Sequence, residues 1–376
     1  MQEIKKRRIV LASVLKPVND PRMFEKMGQS LSPYYEVHII GTKCKTDSSH
    51  DNIIFHPLAS YTRLGLDRIL SPLRILKKIL YLKPALLLIC THELLWVVLI
   101  AKIFLRCPVV YDIRENYFRN ILYTNSFPTI LRVFIALYVR IKEWITIPAI
   151  NNYFLAEAGY EKELSFVRNK KIILENKVKK ILLAPARKWS EDDHKIHLLF
   201  TGTLAPTTGI FIAIDLATKL HASDPNILLH VVGFSPMASV HQQIKDRVRD
   251  KPFVLFRESR EPISHLEILT AIQRADFGII AYPPNASTEN TIPTKLFEYL
   301  GYALPVLLID HPGWFERCKP YVAAIPFQLN NIEATAILHS MKQGTFYSNV
   351  PKDVFWESEE DKLLQTVRRL LTIYAK

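Results

Sequence analysis

Short runs of Val, Ile and Leu alternate along the chain with longer segments of helical periodicity. The runs at 8–14, 37–41, 86–90 and 108–112 lack the polar alternation of a half-exposed strand. They read as strands buried on both faces. Helical spacing fills 21–31, 72–83 and 93–104 between them. After a mixed stretch the rhythm restarts. Strands are predicted at 196–201, 227–232, 253–256, 277–281 and 304–308, and helices at 210–222, 238–249, 264–274 and 293–301. Buried strands alternating with helices specify a parallel sheet covered on both faces. The pattern occurs twice, so the expected class is α/β, with two Rossmann-like doubly wound domains facing a cleft. The predicted boundaries are 1–184 and 185–355, followed by a C-terminal helix over 356–376. The stretch 179–195 reads as the linker.

Composition supports two cores. The chain has 376 residues, of which 49% are hydrophobic and 23% charged. That balance excludes a disordered or collagen-like chain and a small disulfide scaffold. Cys44, Cys90, Cys107 and Cys318 show no CxxC spacing, so a zinc site or redox pair is not expected. A reduced, cytoplasmic compartment fits. Lys5, Lys6, Arg7 and Arg8 precede an apolar run that Lys16 ends. No small-residue cleavage site follows, so the run reads as a buried strand rather than a signal peptide. No apolar run reaches the roughly 18 residues of a membrane span.

Charge divides the chain. Residues 1–190 hold 31 Lys and Arg against 15 Asp and Glu, a net +16, while residues 191–376 hold 18 against 21, a net −3. The basic half suits an anionic membrane or a phosphorylated substrate. Nucleic acid is not expected, because there is no zinc finger, RNA-recognition signature or aromatic–basic interleaving. In 71–80, Ser71 suits an N-cap and Pro72 the first helical position, with Arg74, Lys77 and Lys78 forming one basic stripe. In 131–145, Arg132, Arg140 and Glu143 share a face of an apolar and basic helix. Both segments read equally as helices lying in a lipid headgroup layer or as core helices with a solvated stripe.

The stretch from Glu289 to Val306 carries the chemistry. Pro293 stands near the start of a helix that follows a strand. The N–H groups of a first turn form an anion site, and Lys295 adds a cation. Glu298, one turn on, can accept two sugar hydroxyls. Together these have the shape of a nucleotide-diphosphate site. On residue types alone, a helix stabilised by an early acid is the simpler reading.

This stretch resembles the hallmark of retaining glycosyltransferases of the two-Rossmann-domain type (GT-B), family 4, which often read Pro-x-Lys-x-x-Glu-Tyr before a Gly-x-Pro-Val strand. Three further segments resemble the family in the right order. They are Asn19-Asp20-Pro21-Arg22, the run Val110-Tyr111-Asp112-Ile113-Arg114-Glu115, and the loop from Phe200 to Gly209. The tail from Phe355-Trp356-Glu357 resembles relatives whose last helix crosses back to the first domain.

The resemblance implies transfer of a sugar from a nucleotide sugar to a hydroxyl of a glycan or lipid-linked acceptor, with retention. Cell-surface polysaccharide synthesis, peripherally on the inner face of the cytoplasmic membrane, is the expected setting. It implies that Glu298 holds the donor ribose and that Thr294, Lys295 and Leu296 bind the diphosphate. Gly202 and Thr203 contribute from the 202–209 loop. Asn290 replaces a glutamate that touches the sugar. Arg114 stands where the family usually has a histidine against the donor sugar and phosphate. The family commonly has Arg and Lys at the positions of Thr203 and Thr208. Metal-independent chemistry without a cofactor is expected, so Arg114 and Lys295 are the candidate catalytic cations. The plainer reading of Arg114 is a salt bridge to Asp112 or Glu115. Asp20, Arg22, His92 and Glu115 are candidates for the acceptor side, with His92 alternatively a helix cap. A nucleotide-sugar epimerase and a non-catalytic binding protein of the same fold are the alternatives.

Overall fold

In the computed structural model, the described residues are 6–374, except 45–49, 60–64, 125–126, 182, 258, 260, 262 and 350. Lys5 of the basic cluster and Leu182 of the predicted linker lie outside them. The chain divides into two compact units. The first holds 1–179, 285–291 and 356–376, and the second holds 180–284 and 292–355.

The first unit is built on a seven-stranded, wholly parallel sheet. Its strands are β1 (Arg8–Pro17), β2 (Glu36–Thr42), β3 (Ile53–Leu58), β4 (Leu86–Ile89), β5 (Val109–Ile113), β6 (Asn152–Leu155) and β7 (Lys171–Ile173), in the order β3-β2-β1-β4-β5-β6-β7. Alternate residues of β1 feed two different cores. Val10, Ala12 and Val14 pack with Ile75 and Ile79 of the helix Leu66–Leu82 and with Leu95 and Val98 of the helix Leu95–Phe104. Ile9 and Leu11 pack on the other face with Met23, Met27 and the tail helix Glu357–Ile373. This period of two explains why β1 is apolar without a break from Ile9 to Ala12. Trp356 is fully buried at the start of the tail helix, where its indole N–H donates to Ser30 Oγ at 2.9 Å.

The second unit has six parallel strands: β8 (Ile196–Thr203), β9 (Ile227–Phe234), β10 (Val254–Arg257), β11 (Phe277–Ile280), β12 (Val306–Ile309) and β13 (Ala324–Phe327). The order β10-β9-β8-β11-β12-β13 repeats the doubly wound plan. Each sheet reverses direction of winding beside its first strand, between β1 and β4 and between β8 and β11. The crevice beyond the carboxyl ends of the strands there is where such sheets bind ligands.

Two helices differ from expectation. The one predicted to start at Pro72 starts at Leu66, with Pro72 inside it. Pro72 has no N–H for Arg68 O, and the Ser71 hydroxyl donates to that oxygen instead, at 2.7 Å. Ser71 is therefore a patch within a helix and not its cap. The segment predicted at 131–145 forms the helix Thr129–Thr146, and its charged stripe faces the protein. Lys142 and Glu143 are buried, and Arg140 binds Asn116 and Glu143. A solvated charged stripe is excluded for this helix.

Burial pushes the Glu143 carboxyl up to about 7, against the pull of Arg140 and Lys142. A raised acid contributes stability that is complete below its unfolded value of 4.5 and is lost as pH rises through about 7. Glu143→Gln removes that titration. Its melting temperature, relative to wild type, should therefore climb between about pH 4 and pH 8. Thermal unfolding of both proteins across this range tests the point, and a constant difference would refute it. Among the described residues, no helix is long and apolar enough to cross a membrane.

Candidate functional site

In the second unit, β8 ends at Thr201-Gly202-Thr203 and leads through a short turn at Pro206–Thr208 into the helix Ile210–Ser223. Two glycines shape this connection. Gly209 has φ +86°, and a Cβ there would fall 1.8 Å from Ala281 O at the end of β11. Gly202 has φ +105°, and a Cβ there would meet Lys295 Cε at 2.9 Å. The bare backbone of Gly202 is thus the bed on which the Lys295 stem lies.

Lys295 comes from the helix Thr294–Gly301, which opens after Pro293. The apolar residues Leu296, Phe297 and Leu300 sink into the core and fix the rotation of the helix. Glu298 is also buried, but it is matched on both oxygens. Lys295 Nζ donates to Oε2 at 2.6 Å, and His265 Nε2 lies 3.3 Å from Oε1. Burial alone would raise this carboxyl. Lys295 first and then His265 outweigh it and hold the group at about 2. Glu298 is therefore an ionised acceptor throughout the physiological range. Two helix starts, a cation and this carboxylate converge on the carboxyl end of β8.

The structure brings Gly202, Lys295 and Glu298 together and adds His265, which the sequence reading missed. Ser264 caps the helix His265–Arg274 through Glu267 N, but nothing in that local pattern ties His265 to Glu298. Thr294 is half-buried at the helix start. Leu296 contributes its side chain to the core, and its N–H is bonded to Pro293 O. Thr203 is exposed. Thr208 is occupied by the turn itself. Its hydroxyl lies 2.7 Å from Thr203 O and 2.9 Å from Ala205 O, and it accepts from Ala205 N.

The first unit has a second polar cluster at the carboxyl ends of β1 and β5. Arg22 reaches Asp112 through Nε and Nη2, the shortest contact being 2.7 Å, and donates Nη1 to Leu174 O. Arg114 binds Asp20 Oδ1 at 2.8 Å through Nη1 and Asp112 Oδ2 at 3.1 Å through Nε. Burial would raise the Asp20 carboxyl, but Arg114 and Lys16 together hold it below its ordinary value. The Asp112 partner foreseen for Arg114 is present, joined by Asp20 and not by Glu115. Glu115 instead accepts from Asn120 Nδ2 at 2.6 Å. Arg114 Nη2 is buried without a hydrogen-bond partner among the described residues.

His92 begins a short turn after β4 but does not cap it. Its Nδ1 lies 3.0 Å from Lys142 Nζ, its ring sits edge-on to Tyr117, and burial lowers it to about 4. It is held neutral. Asn290 donates to Glu163 Oε1 at 2.9 Å within the first unit, beside Gly159, where a Cβ would fall 2.2 Å from Asn290 O. Among the described residues, no three His, Cys, Asp or Glu are grouped to hold a metal ion.

No protein-family model matches the chain, and no curated protein matches it in sequence. Solved structures do match in fold. A sucrose-phosphate synthase from Thermosynechococcus elongatus aligns with a TM-score of 0.73 at 14% identity, over 98% of this chain and 100% of that one. HepE from Anabaena, in complex with UDP and glucose, aligns with a TM-score of 0.66 at 12% identity, over 96% and 99%. A UDP-forming α,α-trehalose-phosphate synthase from Burkholderia vietnamiensis aligns with a TM-score of 0.61 at 9% identity, over 98% and 96%. Together with the two doubly wound parallel sheets, these likenesses show that the chain has the GT-B fold.

Proposed function

We propose that the protein is a glycosyltransferase that moves a sugar from a nucleoside-diphosphate sugar to a hydroxyl of a lipid-linked or polysaccharide acceptor, with retention and without a metal. The observation that carries this reading is the buried Glu298 carboxylate, ionised by Lys295 and His265 beside the bare backbone of Gly202. UDP sugars are the first donors to test, since HepE was solved with UDP and glucose.

In this reading, Glu298 accepts the ribose hydroxyls, and Lys295 exchanges its carboxylate partner for the diphosphate. The bond from the sugar C1 to the diphosphate oxygen breaks. The acceptor hydroxyl bonds to C1 on the same face, and its proton passes to the departing phosphate oxygen. Negative charge grows on that phosphate. It is met by Lys295 and by the N–H groups opening the helices Ile210–Ser223 and Thr294–Gly301. Work at the inner face of the cytoplasmic membrane belongs to the same proposal.

Calorimetry with UDP, GDP and ADP sugars tests the donor site. Glu298→Ala should weaken binding of the best donor by about 1.5–3 kcal/mol, the range for hydrogen bonds to a charged group. Unchanged affinity in a folded variant removes Glu298 from the site. NMR of the product anomer tests retention.

A further inference from the structure

The helix Thr129–Thr146 is turned inside out for a water-exposed surface. Apart from Thr129, every exposed residue on it is a large apolar or aromatic one. Ile130, Phe134, Leu137, Ile141 and Trp144 recur at three- and four-residue steps, with Ile130 at 79% and Phe134 at 66% exposure. Its charges are all engaged elsewhere. Arg132 donates to Phe127 O, Arg140 binds Asn116, Lys142 meets His92, and Glu143 meets Arg140. An ordinary surface helix has the opposite arrangement.

The face does not stop at this helix. Trp96 Nε1 donates to Tyr138 Oη at 2.8 Å and joins it to the helix Leu95–Phe104. There Ile100, Ile103 and Phe104 are also exposed, Ile103 at 79%. The neighbouring helix Leu66–Leu82 adds Leu73 and Tyr81, and it carries Arg74, Lys77 and Lys78. Arg74 pairs with Asp67 at 2.9 Å, so Lys77 and Lys78 dominate the charge of that rim. Arg106 is exposed just beyond Phe104. An apolar field across three helices with a cationic margin is far more than scattered surface residues.

We propose that this three-helix face docks on an anionic phospholipid bilayer, with the helix Thr129–Thr146 lying in the interface and Phe134, Ile141 and Trp144 among the acyl chains. Two features choose lipid over a second copy of the chain. Like-charged rims would oppose each other in a symmetric dimer, whereas anionic headgroups complement them. Trp and Tyr line the face at 96, 138 and 144, the residues that favour a membrane interface. The helix is also anchored by its inward charges, so it lies on the bilayer and does not cross it. The inference rests on the lipid-facing part of the proposed function and names the surface that serves it.

The test uses vesicles of phosphatidylcholine with phosphatidylglycerol, some carrying brominated acyl chains. The wild type should sediment with them, and the bromines should quench its tryptophan fluorescence. Trp96→Phe/Trp144→Phe should lose much of that quenching, since these two tryptophans lie on the face while Trp314 and Trp356 are buried. The double variant Phe134→Glu/Ile141→Glu should bind at least about 100-fold more weakly, as two large apolar side chains no longer leave water. Both sites are exposed, so the fold and donor binding should persist. Loss of donor binding in the wild type with vesicle binding intact would overturn the transferase reading alone. No vesicle binding, binding without quenching, or a dimer in light scattering that the double variant dissolves would each overturn the docking surface.

Discussion

Asp112→Ala is expected to destabilise the first unit by about 3–5 kcal/mol, the cost of stranding buried charge after one partner is removed. Asp112 is fully buried and receives Arg22 and Arg114 together. Arg22 is itself buried and holds Leu174 O just after β7. Asp20 Oδ1 accepts the N–H groups of Arg22 and Met23, which fixes the turn after β1. The four charged residues therefore tie the ends of β1, β5 and β7 into one assembly. Removing the acid leaves two guanidinium groups facing a single aspartate. Asp112→Asn keeps the shape and should lose less than Asp112→Ala. Calorimetric unfolding provides the measurement. A loss below about 1 kcal/mol would mean that water reaches the cluster and relaxes it, as at a surface pair.

The same cluster shows what was legible in the sequence. Asp20, Arg22 and Arg114 stood out through the two segments that resemble the glycosyltransferase family, each placed after or at the end of a predicted strand. The sequence could not say that they satisfy one another across gaps of 90 residues or more. Central strands were readable because burial on both faces makes them apolar without interruption. The strands β3 and β13 were missed because they are short edge strands containing Pro57 and Pro326, which only an edge tolerates. β7 has only three residues, and β6 opens on Asn152 and so lacks the unbroken aliphatic run that marked β4 and β12. The stripe on Thr129–Thr146 was identified correctly as a set of residues, but periodicity does not say which face looks outward. Lys295 and Glu298 share one helix, and it was the resemblance of that stretch to the glycosyltransferase family that singled them out. His265 was not singled out, since it arrives from another helix and only tertiary packing places it on Glu298.

Lys295→Gln is expected to lower the turnover rate by roughly 10²–10³, the scale for removing one group that stabilises developing charge. Donor binding should fall much less, because the charge on the leaving diphosphate grows in the transition state. The reason for placing this burden on Lys295 is structural. Thr208, where a lysine is common in the resembling family, spends its hydroxyl on Thr203 O and the Ala205 backbone. Arg114 spends two of its nitrogens on Asp20 and Asp112, so Arg114→Gln should lose stability. Lys295 has one carboxylate partner and a flexible stem resting on Gly202. Lys295→Gln leaves the buried Glu298 carboxylate with His265 alone, so its melting temperature should fall along with its rate constant. Thr203→Arg, at an exposed position of the same loop, should partly restore the rate of Lys295→Gln, while Thr208→Lys should not, because it breaks the turn. Steady-state rates with donor affinity measured in parallel decide the matter. If Lys295→Gln keeps a near-normal rate constant and loses only donor affinity, the cation holds the ground state, and the transition-state charge is met elsewhere.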